Sequence, residues 1–114
     1  MLDRYELLSS SISSMYHDIQ KIERVEMAKF GLKGPHAQCM IAMSRFPEGV
    51  TAAQLCEICD KDKAAISRTV AELEEAGMVV RELTGGNRYR SPLKLTRQGS
   101  EAAQAVSQRA LLAV

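Results

Sequence analysis

The first quarter of the chain alternates apolar and polar positions in a pattern that predicts one long helix, from Leu2 to Lys29. Its apolar residues recur at alternating intervals of three and four, at Tyr5, Leu8, Ile12, Met15, Ile19 and Ile22. This spacing places them in one narrow seam, of the kind that packs against a second helix. The regularity of the seam favours contact with a second copy of the chain, and packing within the chain's own domain is the alternative.

Three shorter helices are predicted between residues 36 and 76. The first spans His36 to Phe46, and its core candidates are Met40, Ile41, Met43 and Phe46. The second, Ala52 to Cys59, opens on a capping box in which the Thr51 hydroxyl caps the helix and Gln54 reaches back. The third runs from Lys63 to Ala76, with Asp62 as its N-cap and Gly77 after its end. Its inner stripe consists of Ile66, Val70 and Leu73.

A β-hairpin is predicted next, with strands at 78–83 and 89–95 around a glycine-containing turn. Pro92 should confine the second strand to a sheet edge, because proline has no N–H to donate. Thr96 caps a final helix from Arg97 to Ala113, whose apolar face holds Ala103, Val106, Ala110 and Val114. The order predicts a mainly α fold with a small β-hairpin wing, namely a winged helix-turn-helix with long N-terminal and C-terminal helices for dimerisation.

A chain of 114 residues corresponds to one structural domain. Within it, we assign residues 1–34 to an N-terminal dimerisation helix and linker, 35–96 to a winged helix-turn-helix DNA-binding core and 97–114 to a C-terminal helix. The predicted dimer contacts are Tyr5, Leu8, Ile12, Met15 and Ile19 from the first helix, and Val106 and Ala110 from the last.

The overall charge is uninformative, but its distribution is not. Fifteen basic and 14 acidic residues leave a net charge of +1, whereas residues 81–97 carry five basic residues and one acid. Positive charge is thus concentrated on the predicted wing, where it favours contact with a phosphate backbone. Aromatic residues make up only 4% of the chain and Trp is absent, which argues against a stacking platform for single-stranded nucleic acid.

The same sequence argues against export and membrane insertion. No apolar run approaches the length of a bilayer span, and the first residues lack the order of a signal peptide. Three cysteines are an odd number, which does not suit a disulfide framework. These features predict a cytoplasmic protein with reduced thiols and no membrane partner.

The helices between residues 52 and 76 have the layout of a helix-turn-helix, whose second helix enters the major groove of DNA. Apart from its inner stripe, the side chains near the amino end of this second helix are small, polar or basic. The predicted DNA-binding residues are Thr51, Lys63, Ala64, Ser67 and Arg68, with Arg88 and Arg90 of the wing reaching phosphates or the minor groove. The alternative is an ordinary surface helix and a solvated basic hairpin.

From Gln38 to Gly99 the chain resembles the MarR family of winged-helix regulators. The matching segments are Thr51–Cys56, Asp62–Gly77, Met78–Arg81 and Leu95–Gly99. The resemblance implies a homodimeric transcriptional regulator, often a repressor, that binds a pseudo-palindromic double-stranded operator. It also implies release of DNA by a small phenolic or lipophilic effector, or by an oxidant. The C-terminal helix is shorter than is usual in the family.

Other residue patterns point more weakly to other functions. Cys56 and Cys59 form a C-x-x-C motif that would suit a thiol- or metal-responsive regulator, although both fall at core spacing and no second ligand pair is near. His17 and His36 accompany no nucleophile motif, and no phosphate-binding glycine loop or paired carboxylates are found. We therefore predict no catalytic site, metal or cofactor. A winged-helix module for protein–protein contact remains the other alternative.

Overall fold

The computed structural model describes residues 3–82 and 90–113. It contains five helices and two strands: α1 (Arg4–Ala28), α2 (His36–Ser44), α3 (Ala52–Cys59), α4 (Lys63–Glu75), β1 (Val79–Arg81), β2 (Leu93–Leu95) and α5 (Arg97–Ala113). β1 and β2 pair antiparallel, with Val80 opposite Lys94. The predicted mainly α fold with a small two-stranded wing is confirmed.

The core lies where α2, α3, α4, the strands, the middle of α5 and the end of α1 meet. Its largest fully buried side chains include Met27, Met40, Met43, Leu55, Leu73 and Leu93. These methionines fill the core, as the helical spacing of Met40 and Met43 indicates. Phe46 is the exception among the core candidates, because α2 ends at Ser44 and a turn closed by the Gly49 amide on the Phe46 carbonyl exposes the ring.

The sheet continues beyond the predicted hairpin. Leu93 exchanges two backbone hydrogen bonds with Val50, of 3.0 and 2.8 Å, on the side of β2 away from β1. The prediction that Pro92 keeps this strand at an edge is therefore wrong at Leu93. Pro92 precedes β2, and its carbonyl accepts a hydrogen bond from the Glu82 amide, so its missing donor breaks no ladder.

One junction ties the end of α4 to the start of α5. Gly77 adopts a positive φ of 79°, which glycine tolerates without strain, and reverses the chain into β1. The Thr96 hydroxyl donates to the Gly77 carbonyl at 2.7 Å and accepts from the Gly99 amide at 3.1 Å. A Cβ atom at Gly99 would collide with the Met78 carbonyl oxygen, so this close approach requires glycine. The wing is thus anchored at its base.

Candidate DNA-binding surface

The turn between α3 and α4 sets the direction of the second helix. Asp60 ends α3 in the left-handed conformation, with φ of 53°, which aspartate adopts more readily than most residues. Two residues later the Asp62 carboxylate accepts a hydrogen bond of 2.7 Å from the Ala65 amide and caps α4. A short turn and a strong cap together make the helix-turn-helix that the sequence predicts.

α4 presents two faces of opposite character. Ile66, Val70 and Leu73 are buried against the core. The opposite side of its amino-terminal half is exposed, and it brings together four of the seven predicted DNA-binding residues, namely Lys63, Ala64, Ser67 and Arg68. Small side chains at Ala64 and Ser67 leave room for a close approach, and the Arg68 guanidinium is the donor fork best suited to guanine.

Thr51 lies at the first turn of α3, where it is half-buried. Its hydroxyl accepts from the Gln54 amide at 3.1 Å, while the Gln54 side chain accepts from the Thr51 amide at 2.9 Å. The predicted capping box is therefore formed. The hydroxyl also donates to the side-chain oxygen of Gln54 at 3.3 Å, so Thr51 orients the amino end of α3 rather than presenting a free donor.

The hairpin has less unpaired charge than its sequence indicates. Three of the five basic side chains of residues 81–97 pair with carboxylates: Arg81 with Glu74 at 3.1 Å, Lys94 with Glu82 at 3.0 Å and Arg97, at the start of α5, with Glu101 at 3.5 Å. Arg90 is exposed at the foot of the wing. Arg88 lies outside the described residues.

The carboxyl-terminal half of α4 makes contacts with two neighbouring parts of the chain. Glu72 accepts a hydrogen bond from the His36 ring at 3.2 Å, and Glu74 pairs with Arg81 of β1. The sequence correctly separates this acidic end from the basic end of the helix. The partner of Glu72 lies 36 residues away, and no local spacing signals such a contact.

The predicted dimer contacts differ in accessibility. Tyr5, Leu8, Ile12 and Met15 are all more than half exposed, and Ile19 and Ala110 are half-buried. Val106 is 2% exposed and belongs to the chain's own core, so its side chain cannot serve as a direct dimer contact. Leu111 and Leu112, which the sequence pattern does not single out, are strongly exposed near the end of α5.

A cavity of about 500 Å³ separates α1 from α4. Its walls include Tyr16, Glu23 and Arg24 of α1, Cys39 of α2, and Ile66 and Arg68 of α4. The volume falls within the range of small-molecule sites. Burial raises the pKa of the Glu23 carboxyl, and a hydrogen bond from Gln38 partly offsets this. Sequence patterning gave no sign of the cavity.

The cysteines lie in or against the core. Cys56 and Cys59 are half-buried, and Cys39 is buried. Burial, with a smaller contribution from nearby Cys59, raises the pKa of Cys39 to about 12, and burial also raises the pKa of Cys59. Reactive thiols have lowered pKa values, so these shifts oppose the thiol-responsive alternative. Cys59 shares the cavity with Cys39, a pairing that the C-x-x-C motif does not indicate.

Two further properties concern only the part of the chain that the structure describes. Among residues 3–82 and 90–113, no cluster of three His, Cys, Asp or Glu side chains is arranged to hold a metal ion. Within the same ranges, none of the helices combines the length and apolar character needed to cross a bilayer.

Comparison with known proteins identifies the fold and the family. A sequence model described as MarR family matches residues 30–88, about half of the chain. The chain belongs to the MarR family. Its structure is similar to that of MarR, with 28% identity and a TM-score of 0.77 over 97% of this chain and 77% of that one. A comparison with curated protein sequences found no match.

Two more distant structures share the winged-helix fold of the MarR family. CouR from Rhodococcus jostii, bound to p-coumaroyl-CoA, has 23% identity and a TM-score of 0.74, covering 97% of this chain and 76% of that one. A point mutant of MepR from S. aureus, bound to an oligodeoxyribonucleotide, has 14% identity and a TM-score of 0.69, covering 98% and 84%. As a MarR-family member, the protein is a DNA-binding transcription regulator and not an enzyme.

Proposed function

We propose that this MarR-family protein is a cytoplasmic repressor that binds a pseudo-palindromic double-stranded operator as a homodimer and leaves it when a small lipophilic or phenolic effector binds. The proposal rests on the outer face of α4. Its side chains are exposed and either small or basic, and they lie opposite a fully buried apolar stripe. A helix so arranged can enter a major groove without disturbing its own packing.

Arg68 would read bases, and its neighbours would bring it close. The exposed guanidinium can donate two parallel hydrogen bonds to guanine, whereas Ser67 can donate one to a base or phosphate. Lys63, in the first turn of α4, would add a phosphate contact, and Ala64 would permit the approach. Thr51 would hold the amino end of α3 towards the DNA backbone.

The wing would contribute the sequence-independent part of the affinity. Arg88 and Arg90 would contact phosphates or the minor groove, since the other basic side chains of residues 81–97 are paired with carboxylates. Each phosphate neutralised should add about −0.9 to the slope of log affinity against log salt concentration.

Dimerisation would cover the exposed seam of α1. Tyr5, Leu8, Ile12 and Met15 form an apolar row that the described chain leaves open to solvent. Ile19 and Ala110 would lie at its margin, joined by Leu111 and Leu112. A two-fold dimer presents two α4 helices, which matches half-sites about one turn of DNA, roughly 34–36 Å, apart.

An effector would bind in the cavity between α1 and α4. The complex of CouR, a structural relative, with p-coumaroyl-CoA supports this part of the proposal. In the present chain the cavity combines an aromatic side chain, Tyr16, with the cationic Arg24 and Arg68. A ligand there would move α4 relative to α1. The two α4 helices of the dimer could then no longer bind both half-sites at the same time.

The test begins with selection of DNA from a random or genomic pool by the purified protein. On the selected duplex we expect Arg68→Ala to lose roughly 1–3 kcal/mol of discrimination at one base pair. Arg68→Lys is the matched control: it keeps the charge and the salt dependence, but it lacks the planar fork and should lose the same discrimination.

Equal weakening of specific and random duplexes by Arg68→Ala would contradict base reading by this residue. Failure of the wild-type protein to select any duplex would contradict the proposed function as a whole, and capture of a protein partner instead would favour the interaction module.

A further inference from the structure

The amino end of α2, directly after the segment that joins it to α1, is hydrogen-bonded to the DNA-reading helix. Nε2 of His36 lies 3.2 Å from Oε2 of Glu72 in α4. Nζ of Lys33 lies 3.8 Å from the same oxygen. Lys33 lies in the segment that follows α1, and His36 is the first residue of α2, so these contacts connect the α1–α2 junction to the carboxyl-terminal half of α4. We call these three residues the α1–α4 tie.

The hydrogen bonds of His36 fix which of its ring nitrogens donates to Glu72. The backbone amide of Lys33 donates to Nδ1 of His36 at 3.1 Å, so Nδ1 must be the acceptor. The ring proton of neutral histidine is then on Nε2, which donates to the Glu72 carboxylate. The His36 side chain is 7% exposed and the Glu72 side chain 44%. A buried ring held at both nitrogens is a rigid spacer, whereas the exposed Lys33 ammonium adds little.

The tie lies beside the cavity. Gly34 and Pro35, between Lys33 and His36, line the cavity together with residues of α1 and α4. A Cβ atom at Gly34 would come within 3.0 Å of Cγ of Arg24, so the segment lies closely on the end of α1. The tie thus reaches α4 from the α1–α2 junction, beside the cavity that separates α1 from α4.

α4 has a second polar connection, and it leads elsewhere. Glu74, two residues after Glu72, pairs with Arg81 of β1 and joins α4 to the base of the wing. That contact keeps the DNA-reading helix and the wing together as one unit. The α1–α4 tie instead relates this unit to the helix through which two copies would associate.

We propose that His36 and Glu72 are positioning residues that set the angle between α4 and α1, and thereby the half-site spacing that the dimer accepts. The inference rests on the proposed dimeric function. In a dimer joined along α1, a small rotation of each α4 about its own α1 changes the separation of the two DNA-reading helices. Half-site spacing is a direct readout of that separation.

The experiment measures spacing preference rather than affinity alone. Dissociation constants are measured for the full-length protein on three duplexes: the selected palindrome, and versions with one base pair added or removed between the half-sites. The readout is the ratio of the dissociation constant on each altered duplex to that on the selected one. For Glu72→Ala we expect this ratio to fall roughly tenfold, since a hydrogen bond to a charged group is lost.

Two variants serve as controls. Glu75→Ala removes the same charge from an exposed position of α4, so it reproduces any general gain in attraction for DNA. Glu72→Gln keeps an oxygen that can accept from His36 and should retain most of the wild-type ratio. His36→Gln removes the rigid ring, and it should reproduce the effect of Glu72→Ala provided that its unfolding transition remains cooperative.

Each outcome is decisive. A reduced ratio for Glu72→Ala, with wild-type ratios for Glu75→Ala and Glu72→Gln, supports the proposal. An unchanged ratio for Glu72→Ala, on duplexes that the wild type distinguishes by spacing, overturns this inference and leaves the proposed function intact. A wild-type protein that selects no paired half-sites overturns both.

Discussion

α1 and α4 are both amphipathic helices whose apolar residues recur at intervals of three and four. The apolar face of α4 is buried, whereas most of the apolar face of α1 is exposed. In α4, Ile66 is 2% exposed and Leu73 is fully buried. In α1, Tyr5 is 77% exposed and Leu8 62%. Only the last turns of α1, around Glu23 and Met27, reach the core. A periodic apolar stripe therefore predicts a helix with two faces, but not the surface that covers the apolar one.

The difference assigns separate energetic roles to the two stripes. Burial of the α4 stripe stabilises the folded chain by removing apolar area from water. The exposed part of the α1 stripe contributes little of this kind until another surface covers it, because isolated helices in water gain little from their own apolar side chains. Substitutions in α4 should therefore change folding, and those in α1 should change association.

The largest effect is expected at the buried stripe. Leu73→Ala should lower the free energy of unfolding by about 2–5 kcal/mol, because it leaves a cavity in a region that cannot fully collapse. Urea denaturation followed by circular dichroism would measure the loss, which should be present at every protein concentration. A loss below about 1 kcal/mol would show that the α4 stripe is less tightly packed than its burial indicates.

At the exposed stripe, Leu8→Ala should weaken self-association by roughly 1–3 kcal/mol, as expected for an apolar side chain at the centre of an interface. Sedimentation equilibrium over a range of protein concentrations would measure the change. Leu7→Ala is the matched control, because Leu7 is also exposed but lies beside the seam. Equal losses at both positions would place the interface elsewhere on α1.

The N-terminal caps of α1 and α4 allow a further comparison of how the two helices contribute to stability. Asp62 caps α4 through the Ala65 amide at 2.7 Å, and Asp3 caps α1 through the Glu6 amide at 2.8 Å. Asp62→Ala should lower the free energy of unfolding by about 1 kcal/mol, because the first turn of α4 belongs to the cooperative core. Asp3→Ala should change it much less, since the first turn of α1 can fray alone. Equal losses in thermal denaturation would mean that all of α1 unfolds with the core.

The smallest effect concerns Glu23, where α1 enters the core. Burial raises the pKa of the Glu23 carboxyl above its ordinary value, so over a range of pH the folded state binds a proton that the unfolded state has already released. The free energy of unfolding therefore falls as pH rises through this window and stays lower above it. Below the unfolded pKa the carboxyl is neutral in both states, and burial of its charge costs nothing.

Glu23→Gln should remove this dependence. Relative to the wild type, the variant should gain stability as pH rises from below the ordinary pKa of glutamate to neutrality. Thermal denaturation of both proteins across that range is the measurement. A variant that loses stability relative to the wild type as pH rises would show that the ionised carboxylate is stabilised in the folded state, which is the reverse of the expected sign.

Much of the fold follows from local patterns in the sequence. The capping residues Thr51 and Asp62, the inner stripe of α4 and the glycine after it predict the helix-turn-helix within a residue of the observed bounds. The same patterns place Lys63, Ser67 and Arg68 on an exposed face. These features depend on hydrogen bonds and side-chain directions within a few residues of each other, so sequence spacing is enough to derive them.

Contacts between separate elements of the fold could be identified only from the tertiary structure. The pairing of Val50 with Leu93, the ion pairs that use Arg81 and Lys94, and the contact between His36 and Glu72 each join segments whose separation along the chain carries no periodic signal. The burial of Val106 and the exposure of Leu8 were also decided at this level. Local sequence determines which way a side chain points from its own element, whereas the packing of elements determines what that side chain meets.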